Sequence, residues 1–335
     1  MATRWRIRFA HIIGAATAVA TLAIPGLAVG APAASAAPAP TLAIADTTVD
    51  APCGRADIPV KIRWYLPDAP PTGLLWLQHG FARSAQNLDG LARSYAAQGF
   101  LIASTSIDSF SVAGCSVSYN LADNKVFVAA MATVFGDADE PAGALAHSLN
   151  RANAMAHRSI AMPPRMIFSG HSAGGEFVVT AADALRRSDL IGYRRLQGLV
   201  LLDPVNSFQG NNFRTAVTEL STADLLIRVI STPPSLSNNF GSAVRILEHS
   251  TRQPFLGVQL TTGVHIDAEG ESTDIIGIAS QLAAPRPRNV RVIRTLAPHW
   301  ADDLVTGHRT PAFYPGGSYY QRLVQSNTIT TLPTK

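Results

Sequence analysis

The segment that most constrains the fold is a glycine-rich turn between an apolar run and a helix-like stretch. The run at residues 166–169 leads into Gly170–Gly175, with the sequence GHSAGG, and a helix-like pattern follows at residues 176–185. Glycines suit so sharp a turn because side chains at these positions would collide with neighbouring elements. The turn therefore predicts a strand, a tight bend and a helix in succession, with the Ser172 hydroxyl raised at the carboxyl end of the strand.

Further apolar runs alternate with helix-like stretches along the chain. The other candidate strands are residues 58–66, 74–78, 100–105 and 199–202, and the candidate helices are residues 87–98, 121–134, 142–157 and 173–187. Residues 206–220 are polar and only weakly periodic, so we expect a surface excursion there. Alternation of this kind predicts an α/β fold, with a mostly parallel central sheet flanked by helices.

The first 36 residues have the pattern of a secretory signal peptide. Three arginines without an acidic residue precede an apolar run at residues 12–29, and Ala34-Ser35-Ala36 is a cleavage pattern. An uncleaved membrane anchor is the alternative, which Pro25 and the small residues disfavour. We therefore expect a secreted protein in which an Ala/Pro-rich leader at residues 37–56 precedes one domain at residues 57–335, without stable membrane insertion after processing.

Charge and cysteine content narrow the function classes. Removing the three leader arginines leaves 24 basic and 23 acidic residues, with no basic cluster, which argues against a nucleic-acid partner. Cys53 and Cys115 are the only cysteines, and two thiols in an exported chain tend to pair. We expect one disulfide, which contributes roughly 3 to 4 kcal/mol to stability, with two buried free thiols as the alternative.

The Ser172 hydroxyl in this context predicts a nucleophile for acyl transfer, and such a nucleophile needs hydrogen-bond donors for the developing oxyanion. The Ala173 amide is one candidate, since it follows the serine directly. The run at residues 74–78 leads into His79-Gly80-Phe81, which places the Phe81 amide as the second candidate. We also assign Phe81 and His171 to substrate binding. A glycine-rich turn with a capping serine is the alternative without catalysis.

A histidine base and its acid follow the serine in this type of chain, in the order serine, acid, histidine. In the preferred assignment, residues 225–230 and 255–261 are the last two strands and His265 is the base. The loop after residues 225–230 contains no carboxylate. The acid is then Asp203, at the carboxyl end of the preceding strand, where it would orient the imidazole.

A second assignment stays open. Here Asp267 is the acid, residues 290–296 form the last strand and His299 is the base. We prefer the first because residues 292–304 place apolar side chains near one helical face, with Asn289 as a possible cap and Gly307 as a possible end. The string at 265–269, with histidine, aspartate and glutamate alternating, is a weak metal pattern without a second histidine cluster, and we expect neither metal nor cofactor.

Four of these elements together resemble the chlorophyllase-like branch of the α/β-hydrolase superfamily. They are HGF at 79–81, GHSAGG at 170–175, LLDPV at 201–205 and VHID at 264–267. The resemblance covers about residues 58–270 and implies the α/β-hydrolase fold. It also implies Asp203 as the triad acid and His265 as the base. The first two elements are similar to secreted polyester hydrolases and cutinases as well, in which an aromatic residue at the Phe81 position lines the acyl site.

The chain departs from the chlorophyllase-like pattern at Ala173, where the family often has arginine, and at Val264, where it has glycine. These departures argue against chlorophyll as the substrate. We expect a monomeric serine hydrolase that cleaves small-molecule, lipid or polymeric carboxylic esters through an acyl-enzyme. The alternatives are a peptidase, amidase or acyltransferase with the same residues, or an inactive secreted binding protein of the same fold.

Overall fold

The structure, a computed structural model, describes residues 42–334, and the predicted signal peptide lies outside them. The strands are β1 (Ala43–Cys53), β2 (Ala56–Leu66), β3 (Gly73–Gln78), β4 (Phe100–Ser106), β5 (Met166–His171), β6 (Leu196–Leu202), β7 (Ile227–Ser231), β8 (Gly257–Leu260) and β9 (Ile329–Thr331). They form one sheet in the order β1-β2-β4-β3-β5-β6-β7-β8-β9. Strands β3 to β8 are mutually parallel, while β1, β2 and β9 pair antiparallel at the two sides.

Helices cover both faces of the sheet. They are α1 (Asp89–Ala97), α2 (Lys125–Gly136), α3 (Ala144–Ala156), α4 (Ala173–Ser188), α5 (Leu190–Arg195), α6 (Asn212–Thr222), α7 (Ser242–Ser250), α8 (Ile275–Gln281), α9 (Pro287–Thr306) and α10 (Ser318–Gln325), with short 3₁₀ turns at Ala85–Leu88, Leu236–Gly241, His265–Ala268, Gly270–Ser272 and Pro311–Phe313. Helices α2, α3, α4, α6 and α7 bury one apolar layer, and α1 and α9 bury the other. Within residues 42–334, no helix is both long and apolar enough to cross a membrane.

The central strands form because their side chains are apolar on both faces. Every residue of β3 and β5 is buried, as expected for parallel strands that are covered on both sides. The carboxyl ends of β3, β5, β6 and β8 lie at one edge of the sheet, so the loops that follow them meet there. The predicted mostly parallel sheet flanked by helices is confirmed.

Two assignments along the chain are wrong. Residues 43–53, assigned to the leader, form β1, in which Ala45, Thr47, Val49 and Ala51 are buried and the residues between them are exposed. This alternation allows one face of β1 to pack on the core although the segment contains few large apolar side chains. Residues 206–220, assigned to a surface excursion, include most of α6, whose buried face packs against α4.

The structure separates the two assignments of the last strands. Residues 290–296, which the second assignment requires as a strand, lie within α9, which continues through Pro298 to Gly307. Gly307 ends this helix with a φ of 74°, as the sequence predicts. Asn289 does not cap it, because its amide instead donates to Asp267 (2.8 Å) and to the carbonyl of Thr262 (3.1 Å).

Cys53 at the end of β1 and Cys115 in the loop after β4 form the expected disulfide, across 62 residues of sequence. A crosslink over a loop of this length contributes about 4 kcal/mol by restricting the unfolded chain. We expect the variant C53S/C115S to lose about that much unfolding free energy in urea titrations. Fully reduced wild type should lose a similar amount, and a loss below about 1 kcal/mol in both would contradict this account.

Candidate active site

Ser172 stands on the turn between β5 and α4 in a conformation that few side chains adopt. Its φ is 57° and its ψ is −127°. The backbone is held there because the Ser172 amide donates to the carbonyl of Leu202 (3.1 Å), while the Ser172 carbonyl accepts from the amides of Gly175 (2.9 Å) and Val205 (3.1 Å). Strain maintained by surrounding contacts is typical of functional turns, and the predicted strand, bend and helix are confirmed.

The glycines around Ser172 are required by close approach. A Cβ on Gly174 would lie 2.4 Å from the carbonyl oxygens of Gln78 and His79, and a Cβ on Gly80 would lie 2.7 Å from the Cβ of Ser172. Neither position can hold a larger residue without moving backbone. The segment after β3 is therefore pressed directly against the serine turn.

His265 begins the 3₁₀ turn after β8 and connects Ser172 to Asp203. Its Nδ1 lies 2.5 Å from Oδ2 of Asp203, and its Nε2 lies 2.8 Å from Oγ of Ser172. A carboxylate can only accept, so Nδ1 carries the proton and donates it to Asp203. The unprotonated Nε2 then accepts from the Ser172 hydroxyl. The structure thus brings together the three side chains of the preferred assignment in one hydrogen-bonded chain.

Asp203 is buried at the end of β6, with a φ of 41°. Its two oxygens also accept from the amide of Thr232 (2.9 Å) and from the Thr232 hydroxyl (2.7 Å), with Asn238 at 3.3 Å. Burial alone would raise the pKa of Asp203, but the hydrogen bonds from His265 and Thr232 hold this pKa below its usual value. Asp203 is therefore charged at neutral pH and fixes the imidazole in the tautomer described above.

His171 does not have the position expected of a substrate-binding residue, and that assignment is wrong. The residue is 1% exposed, and its Nε2 donates to the carbonyl of His265 (2.8 Å). Burial, reinforced by the nearby imidazole of His265, lowers the pKa of His171 to about 4. His171 is therefore a neutral support under the backbone of His265. Its other ring nitrogen, Nδ1, has no hydrogen-bond partner among the described residues but is buried away from the surface that a substrate would contact.

The segment that carries Phe81 is held by a second buried histidine. Nδ1 of His79 donates to the carbonyl of Gly80 (2.7 Å), and its Nε2 accepts from the amide of Ile107 (3.0 Å). Burial lowers the pKa of His79 to about 4, so the ring remains neutral and keeps both bonds. Phe81, which follows this anchored residue, packs edge to face on the exposed Phe110 at 4.8 Å between ring centroids.

The residues that carry the two predicted oxyanion donors lie next to the serine or next to a residue that contacts it. Ala173 follows Ser172 as the first residue of α4, and Phe81 follows Gly80, whose Cα faces the serine side chain. Helix N-termini leave their first amides without helical partners, so the Ala173 N–H is suited to bind an anion. The assignment of both amides as oxyanion donors stays a prediction.

The residues of the second assignment have other partners. The His299 ring stacks on Phe313 at 3.8 Å between centroids, and Asp267 accepts from the amides of Val264 (2.8 Å) and Arg286 (2.7 Å) as well as from Asn289. Asp267 therefore shapes the loop around His265. In the part of the chain that the structure describes, no cluster of histidine, cysteine and carboxylate side chains has the arrangement of a metal site.

Comparison with known proteins decides the fold. The sequence matches no known family model and no curated protein. Among solved structures, a brefeldin A esterase, a bacterial homologue of human hormone-sensitive lipase, aligns with a TM-score of 0.51 at 10% identity, over 84% of this chain and 81% of its own. The chain has an α/β-hydrolase fold. An arylesterase (TM-score 0.48, 15% identity, 78% and 85% of the two chains) and a dienelactone hydrolase from Anabaena variabilis (0.47, 13%, 78% and 96%) are also similar.

The α/β-hydrolase fold accounts for the order of the site residues along the chain. Ser172 follows β5, Asp203 follows β6 and His265 follows β8, so all three come from the carboxyl edge of the sheet. Asp203, the candidate acid, follows β6, one strand before the loop that follows β7. That loop contributes Thr232 and Asn238 to the carboxylate instead, and these two residues were not predicted from the sequence. The absence of a carboxylate from this loop was the available indication that its polar residues serve an acid elsewhere.

Glu176 is a buried carboxyl next to the site that the sequence analysis missed. It lies in the first turn of α4, where its Oε2 accepts from the amide (2.7 Å) and the hydroxyl (2.5 Å) of Ser207. Burial raises the pKa of Glu176 to about 7, although the bonds from Ser207 act in the opposite direction. In this α/β-hydrolase fold, Glu176 therefore links the helix behind the serine to the loop that follows Asp203.

The raised pKa of Glu176 predicts a pH dependence of stability. Between pH 4.5 and about 7 the folded protein keeps a proton that the unfolded chain has lost, so the unfolding free energy decreases as pH rises through about 7. Between pH 5 and pH 8 this one group should account for about 2 to 3 kcal/mol. E176Q should remove that part of the decrease in urea titrations. E219Q, at a position 48% exposed, is the control and should behave as wild type; an E176Q profile parallel to wild type would contradict the assignment.

Proposed function

We propose that this chain is a secreted serine hydrolase that cleaves carboxylic esters through a covalent acyl-enzyme on Ser172. The observation that carries the proposal is the hydrogen-bonded chain from Ser172 through His265 to Asp203. The esterase among the solved structures with this fold and the resemblance to chlorophyllase-like hydrolases and polyester hydrolases support the same chemistry. Export through the predicted signal peptide is part of the proposal.

In the first half of the reaction, Nε2 of His265 takes the proton from Ser172 as Oγ attacks the ester carbonyl. The charged imidazole is stabilised by the carboxylate of Asp203. The tetrahedral oxyanion accepts from the amides of Phe81 and Ala173. The C–O bond to the alcohol then breaks, and the alcohol leaves with the proton from His265.

In the second half, water takes the place of the alcohol. His265 removes a proton from this water, which attacks the acyl carbon, and the bond to Oγ of Ser172 breaks as the serine regains a proton from His265. The carboxylic acid leaves and the resting hydrogen bonds are restored. Every proton transfer uses the one imidazole nitrogen that faces Ser172.

The proposal is tested by comparing an ester with an amide that has a matched acyl group. The purified protein from residue 37 onward is assayed with p-nitrophenyl acetate and with p-nitroacetanilide, alongside S172A. We expect rapid ester cleavage, slow or undetectable anilide cleavage, and loss of both in S172A. Comparable cleavage of the two substrates would favour an amidase or peptidase, and an inactive wild type would favour a binding protein of the same fold.

A further inference from the structure

Two segments of the proposed site must be placed precisely relative to each other although they come from distant strands. Phe81 follows β3 and His265 follows β8, and three strands of the sheet, β5, β6 and β7, lie between them. Hydrogen bonds within the sheet position each segment only through a series of intermediate strands. A direct connection between the two segments would therefore control the geometry at the reacting atoms most tightly.

Such a connection is made by Arg83 and Glu269. Arg83 is two residues after Phe81, and Glu269 is four residues after His265. Nε of Arg83 donates to Oε1 of Glu269 (2.9 Å) and Nη2 donates to Oε2 (2.6 Å), so the guanidinium engages both carboxylate oxygens. The Arg83 side chain is 8% exposed and that of Glu269 is 1% exposed, which shields the pair from water.

Neighbouring contacts reinforce the same connection. Nη1 of Arg83 donates to Asp274, which caps α8, at 2.9 Å. The amide of Gly90 donates to the hydroxyl of Ser272 at 2.9 Å. On its other side, the Phe81 segment is bound to the loop after β4, since the amide of Ala82 donates to Ser109 at 2.6 Å. The Phe81 segment is thus held from both sides, and among these contacts Arg83 and Glu269 lie nearest in sequence to Phe81 and His265.

We propose that Arg83 and Glu269 are positioning residues of the hydrolytic site, and that their buried pair sets the distance between the Phe81 amide and the His265 ring. The proposal rests on the proposed function. A planar guanidinium bound through two parallel hydrogen bonds resists both sliding and rotation, which a single contact does not. Because the oxyanion forms only in the transition state, misplacement of these groups should reduce kcat and leave KM almost unchanged.

The first test is E269Q, with E271Q as the matched control. Glutamine keeps the size of glutamate but turns one oxygen into an amide that faces an Arg83 donor, so the paired contact is lost. Glu271 is also bound through both oxygens, to Arg294, but it is 67% exposed and joins α9 instead of the Phe81 segment. With p-nitrophenyl acetate we expect E269Q to lose about 10- to 100-fold in kcat with KM within about threefold, and E271Q to stay within about twofold of wild type.

A second variant covers the case in which E269Q fails to fold. R83M/E269M replaces the pair by apolar side chains and leaves no buried charge unpaired. Assays run well below each variant's melting temperature should show the same loss of kcat. Folded E269Q or R83M/E269M with wild-type kcat, or with a loss confined to KM, would overturn the positioning role. An inactive wild type would instead refute the proposed function, so the two failures are distinguishable.

Discussion

H265A is expected to lower kcat for p-nitrophenyl acetate by on the order of 10⁴- to 10⁶-fold. His265 is the only imidazole within hydrogen-bonding distance of Oγ of Ser172 among the described residues, and alanine leaves the hydroxyl without a base. The residual rate would come from the oxyanion amides and from substrate binding. Circular dichroism and the melting temperature should show that the variant is folded.

H299A is the control for this result because His299 is the base of the rejected assignment. Its ring packs on Phe313 and belongs to α9, so its removal should change kcat by no more than about twofold. If H265A retained a near-normal rate while H299A lost activity, the order of the last strands around the site would have no bearing on catalysis. The assignment of the base would then be wrong.

D203N is expected to lower kcat at pH 7 by on the order of 10³- to 10⁴-fold. The amide of Thr232 requires an acceptor, so the asparagine oxygen should face Thr232 and its NH₂ group should face His265. Nδ1 of His265 must then accept instead of donate, which moves the proton to Nε2. In this tautomer the imidazole cannot take the Ser172 proton.

The same experiment separates orientation from stability. Thr232 and Asn238 continue to hold residue 203 in D203N, so the melting temperature should change far less than the rate. A loss of less than about tenfold in kcat in a folded D203N protein would contradict the role given to the carboxylate. It would mean that the imidazole keeps its tautomer by another contact.

The sequence was sufficient to predict the elements in which one strong pattern dominates. The buried strands β3 to β6 were recognised as apolar runs, and the turn around Ser172 was recognised from its glycines. The edge strand β1 was missed because its buried face carries small or polar side chains such as Ala45 and Thr47. Helix α6 was missed although Phe213, Val217 and Leu220 fall on one helical face, because polar residues dominate the segment around them.

Residues that support the site were beyond reach because their partners lie far away in sequence. Arg83 and Glu269 are separated by 186 positions, and no local periodicity connects an arginine after one strand to a glutamate after another. Asn238 reaches Asp203 from a turn in which Asn239 and Phe240 adopt positive φ, a conformation that the sequence does not announce. Such contacts depend on how loops fold against one another at the edge of the sheet.

Covalent labelling identifies the reactive residue of the site. The folded protein is treated with a fluorophosphonate, digested and analysed by mass spectrometry, with S172A in parallel. We expect one adduct, on Ser172, and none in S172A. An ester-hydrolysing wild type that carries no adduct, or an adduct on another residue that persists in S172A, would contradict the assignment of Ser172 as the nucleophile.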